Sequence, residues 1–105
     1  MSGSLALDSN AVIAYRAGNP QAASVIEAAD HLLLPLPALG ELLFGAKASG
    51  RVRANLAAVH AFAENCSILH PDQATAEAYS DIRVSLKRRG KPLPENDLWI
   101  AALSL

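Results

Sequence analysis

Three short apolar runs, LAL at 5–7, HLLLPLP at 31–37 and CSIL at 66–69, are each too short for a stable helix and are separated by stretches with helical spacing. Their residues are apolar without a polar alternate, so a strand made from them is covered on both faces. Strands of that kind alternating with helices read as a parallel sheet with helices on both sides, an α/β architecture in three layers.

The punctuation supports the same division. SNAVIAYRAG ends at Gly18, Asn19-Pro20 opens the helix QAASVIEAAD, and Pro35 with Pro37 stops the second strand. ALGELLFGAKASG forms a third helix, and Arg51 to Glu64 a fourth with Leu56, Val59 and Ala63 on one face, so Ser49-Gly50 turns an αα-hairpin. Asp72 caps a long helix to Arg89, with Ala76, Tyr79, Ile82 and Leu86 inward and Gly90 beyond its end. A last helix opens at Asp97, after Pro92, Pro94 and Asn96. The chain has 105 residues and no repeat or linker, so residues 1–105 read as a single domain.

Charge and cysteine usage narrow the function classes. A formal net charge of −1 gives no global attraction to a polyanion, so any nucleic-acid contact is a local patch. Cys66 stands alone, which excludes a disulfide framework and a cysteine-rich metal knuckle. The start, MSGSLALD, lacks the pattern of a secretory signal, and prolines and Glu41 interrupt the apolar stretch from Leu32 to Ala46, so the expected location is the cytoplasm and not a membrane. His31, His60 and His70 lie at segment ends without metal-ligand spacing, and no Ser/His or Cys/His motif points to a covalent nucleophile.

The acids carry the chemical information. Asp8 follows the first strand at its carboxyl end, where open parallel sheets place their ligand crevice; taken alone it is equally a helix cap, as is Asn10. Glu41 sits in a helix among Leu39, Leu42, Leu43 and Phe44, and reads either as a solvent-facing residue or as a carboxylate with a partner. Gly40 and Gly45 each weaken that helix by roughly 1 kcal/mol against alanine, which suggests a close approach by something else. Asp97 is by itself a first-turn acid favoured by the helix dipole. Together the three describe a hard oxygen-donor site for Mg²⁺ or Mn²⁺, suited to phosphodiester hydrolysis.

The segments LDSNAVIA, LPALGELLFGAKASGR and LKRRGKPLPENDLWIAA, in that order, resemble the PIN-domain nucleases, and most nearly the VapC toxins of bacterial toxin–antitoxin pairs. The resemblance runs over nearly the whole chain. It implies a parallel sheet sandwiched by helices and Mg²⁺- or Mn²⁺-dependent cleavage of RNA. By motif match Asp8, Glu41 and Asp97 are the metal-holding and catalytic acids, with Ser9, Asn10 and Asn96 supporting them. A cognate antitoxin and a homodimer are the partners it implies.

Two features remain. The family continues past the DLWIAA helix into another strand and a further acid, whereas here WIAALSL ends while still apolar. The sequence therefore reads as a PIN-like domain lacking its C-terminal strand, which leaves an open edge beside the first strand. Lys87, Arg88, Arg89 and Lys91 precede the loop to Asp97; they are cations at a helix end, suited either to its dipole or to gripping RNA phosphates. The expected function is a metal-dependent endoribonuclease. The alternative is a catalytically weak or inactive module that binds an antitoxin or RNA.

Overall fold

Leu32, Leu33 and Leu34 are flanked by parallel strands on both sides, and that central position explains why the run around them is wholly apolar. The computed structural model describes residues 3–105. It contains β1 (Ser4–Ala6), α1 (Ser9–Arg16), α2 (Pro20–Ala28), β2 (His31–Pro35), α3 (Leu36–Lys47), α4 (Val52–Glu64), β3 (Cys66–Leu69), α5 (Gln73–Arg88) and α6 (Glu95–Leu103). Strand order is β1-β2-β3, with Leu5 opposite Leu32 and Leu33 opposite Ser67. Leu7 extends the first pairing by donating its N–H to the Leu33 carbonyl at 2.9 Å. The fold is α/β, as the alternation of apolar runs requires.

Leu34 is fully buried at the centre of a core that gathers Leu7, Val12, Ile26, Ala38, Leu42, Val59 and Ile100 from strands and helices alike. Side-chain caps set several helix starts: Asp8 Oδ1 accepts from Ala11 N at 2.8 Å, and Asn19 Oδ1 from Ala22 N at 2.9 Å. Gly18 and Gly90, at φ +86° and +66°, take the left-handed turns after α1 and α5 that side chains disfavour.

Helix α6 is apolar nearly all round because it lies between α3 and α5. Leu98, Ile100 and Ala102 are buried and Trp99 half-buried. Trp99 stacks on Tyr79 of α5 with centroids 4.2 Å apart. Tyr79 also donates its hydroxyl to Glu95 Oε1, and Arg83 pairs with the same oxygen at 3.3 Å. The ion pair is exposed and adds little by itself, so the ring stack is the main tie between α5 and the start of α6.

Two expectations are corrected. Helix α6 begins at Glu95 and not at Asp97, because Pro94 occupies the N-cap position with no side-chain hydrogen bond, leaving Asp97 in the first turn. On α5 the inward residue of the first turn is Thr75, which is buried, and Ala76 is exposed; Asp72 Oδ1 accepts from both the N–H and the hydroxyl of Thr75, each at 2.9 Å.

Leu34→Ala should cost about 2–5 kcal/mol in urea unfolding, and a loss below about 1 kcal/mol would show that the sheet centre is not the packing centre. The Thr75 N–H and hydroxyl hold the Asp72 carboxyl below its ordinary value of 3.8. A depressed carboxyl stabilises the fold above its unfolded-state value and loses that contribution as pH falls through the folded-state one. Asp72→Ala should therefore lower Tm at neutral pH, with the gap to the native sequence closing below about pH 3.8. A gap independent of pH would contradict this.

Candidate active site

Parallel strands all end on one side, and the first turns of the helices that follow them gather there. Asp8 lies just beyond β1 as the cap of α1, Glu41 is in the first half of α3, and Asp97 is in the first turn of α6. Helix α3 packs against both α1 and α6, which brings these three segments together.

The structure gathers the acids into two adjoining hollows. Asp8 and Asp97 line one groove of about 760 Å³, which runs along the outer edge of β1 past Leu5, Ala6 and Leu7. Glu41 lines a second hollow of about 480 Å³ with Ser9, Asn10 and Asn96. Asn10 borders both. Ser9 Oγ donates to Glu41 Oε1 at 3.1 Å, so the half-buried Glu41 has a partner across 32 residues of sequence. That bond resolves the choice left open for Glu41, which is neither freely solvent-facing nor unpaired.

Among the described residues no three His, Cys, Asp or Glu side chains come together as a group able to hold a metal ion. The three-carboxylate cluster is thus not formed in this structure, with one Glu41 oxygen taken up by Ser9. The remaining donor chemistry still suits Mg²⁺, which uses one or two carboxylates and retains water on its other positions. Asp8 and Asp97 line the same groove, and both are exposed. Among the described residues β1 pairs only with β2, and the groove runs along its other side.

The basic cluster is divided by the helix that carries it. Lys87 lines a hollow with Leu93, Glu95 and Leu98 at the approach to α6, whereas Arg88 and Arg89 line another with Asp81 and Val84. Lys91 is exposed in the loop that follows. Cys66 begins β3, at the opposite end of the sheet from the acids; burial pushes its thiol up, as befits a packing residue. All three histidines are exposed.

The glycine expectation is corrected as well. A Cβ placed on Gly40 or Gly45 would meet nothing within 4 Å, so no neighbour in this chain requires glycine at either position. Sequence reasoning also passed over two exposed apolar side chains in the Glu41 hollow. Ile13 is 56% exposed and Phe44 74% exposed. Their signal was available in retrospect: Phe44 follows Gly40 by one helical turn and therefore shares its face.

Comparison with known proteins follows the same lines. The family model of the PIN domain matches residues 5–105. Ribonuclease VapC1 of Haemophilus influenzae (strain R2866) is 30% identical, the match covering 94% of this chain and 78% of that protein. The crystal structure of DNA-bound VapBC from Salmonella typhimurium superposes with a TM-score of 0.84 at 28% identity, covering 98% of this chain and 79% of that one. VapBC-1 from nontypeable Haemophilus influenzae gives 0.78 at 26% identity, covering 97% and 78%. A family match over nearly the full length, joined to a matching fold, means that this chain belongs to the PIN domain family.

Proposed function

We propose that the chain is a divalent-metal-dependent endoribonuclease, the toxin of a toxin–antitoxin pair, acting in the cytoplasm on RNA phosphodiesters. The observation that carries this reading is the convergence of Asp8 and Asp97 on one groove from opposite ends of the sequence. The relative named a ribonuclease supports the activity, and the neighbours solved as VapBC complexes support an antitoxin as partner. Among the described residues no helix is long and apolar enough to cross a membrane.

Asp8 and Asp97 would hold Mg²⁺ or Mn²⁺, with Asn10 beside them. The bound ion would offset phosphate charge and lower the pKa of water. Ser9 holds Glu41 at the border of the site, where its carboxylate would help to hold the ion and orient the attacking water. Asn96 supports this wall of the hollow. Lys87, beside Glu95 and Leu98, and Lys91, in the loop before α6, would draw in the phosphate backbone, with Arg88 and Arg89 adding attraction from a different hollow. A homodimer is part of the proposal, as the likeness to the VapC toxins implies.

The unformed carboxylate cluster favours a second reading, in which the chain binds an antitoxin or RNA with little or no catalysis. Incubation of structured RNAs with and without Mn²⁺ separates the two. Cleavage should require the ion and should fall in Asp8→Asn and Asp97→Asn by more than the roughly 100-fold that loss of an outer-sphere partner costs. RNA binding without ion-dependent cleavage would support the module instead. Both substitutions are nearly isosteric, and asparagine can still cap α1. Without metal their Tm should stay level, and a large drop in both would assign the acids a structural role. Light scattering should give the mass of a dimer, and a monomer at all concentrations would remove self-association from the account.

A further inference from the structure

Phe44 is the largest apolar side chain left exposed in the middle of an element, and it does not stand on a bare surface. It forms one wall of the hollow whose other walls are Ile13, Asn10, Asn96 and the Ser9–Glu41 pair. At about 480 Å³ the hollow falls within the ~300–1,000 Å³ typical of small-ligand sites. Its floor is Gly40, one turn before Phe44, where a side chain would project into the hollow and where no packing neighbour in the chain forbids one. A glycine that weakens a helix without a steric reason inside the chain leaves room for something from outside it.

We infer that this hollow is a nucleobase seat, in which Phe44 stacks on the base neighbouring the scissile phosphate, making Phe44 and Gly40 specificity-determining positions. The inference rests on the ribonuclease reading for the nature of its ligand. Phe44 and Ile13 line the same hollow, and an aromatic ring with an aliphatic side chain beside it suits a flat π-system. The amides of Asn10 and Asn96 each offer both donors and an acceptor, which matches the mixed edge of a base and not a purely apolar side chain of a protein partner. Asn10 also borders the groove of Asp8 and Asp97, so a nucleotide seated here would lie next to the carboxylates.

The test uses short oligoribonucleotides carrying 2-aminopurine at successive positions, titrated with the full chain in EDTA so that cleavage does not intervene. One position should show strong quenching with the native sequence. Phe44→Ala should abolish the quench and weaken Kd by about 5- to 150-fold, the range of one lost stacking contact, while Phe44→Trp restores both. Gly40→Leu should block binding without lowering Tm, since its side chain enters the hollow and not the core. Quenching and Kd unchanged within twofold in Phe44→Ala would overturn the seat, as would a change in oligomeric mass with RNA binding intact, which would make Phe44 a protein contact. A parallel cleavage assay with Mn²⁺ keeps the two readings apart. Cleavage by the native chain with no Phe44-dependent quench removes the seat alone, whereas a Phe44-dependent quench without cleavage supports the seat and removes the ribonuclease.

Discussion

Parallel pairing of three strands is the constraint from which the site follows. Strands that run the same way must be joined by helical connections that return over the sheet, and the first helix after each strand then starts at the same edge. The register of Leu5 with Leu32 and of Leu33 with Ser67 fixes how far each strand reaches. Asp8 and Pro35 consequently end their strands together, and α1 and α3 begin side by side. Helix α6 has no strand before it in this arrangement; the Tyr79–Trp99 stack and the burial of Leu98 and Ile100 align its first turn with the others.

Such an arrangement places Asp8 and Asp97 where helix N-termini already favour negative charge. Asp8 uses one oxygen to cap α1, which anchors its carboxylate at the rim of the groove. Glu41 gains its anchor from Ser9, so the first turn of α1 orients both acids, the Ser9 hydroxyl holding Glu41 and the Ala11 N–H holding Asp8. The core beneath, from Leu7 to Ile100, keeps these helix starts in fixed relation.

Most of the fold was legible because its signals are local. CSIL is a strand over its expected span, Asn19 and Asp72 cap the helices they were expected to cap, and Gly18 and Gly90 stand where positive φ is needed. The errors arise where the deciding contact is distant or leaves no pattern. Pro94 caps α6 without a side-chain bond, so nothing in the sequence marked Glu95 as its start. The Ser9–Glu41 bond spans 32 residues, and no periodicity could select it over exposure. LKRRGK reads as one basic patch, yet successive side chains on a helix point 100° apart, and the structure sends Lys87 one way and Arg88 with Arg89 another. The acids themselves were legible as a set only through their motif context; the groove shared by Asp8 and Asp97 is a product of the topology.

The central claim is that Asp8 and Asp97 share one divalent ion. Paramagnetic broadening of backbone amide signals by substoichiometric Mn²⁺ tests it directly in a chain of 105 residues. Broadening should begin at residues 8–11 and 96–98, spread next to Ser9 and Glu41, and disappear in Asp8→Asn. Broadening centred elsewhere, for example around Asp81 and Glu77 on α5, or none at concentrations well above those of Mn²⁺-dependent cleavage, would contradict the account.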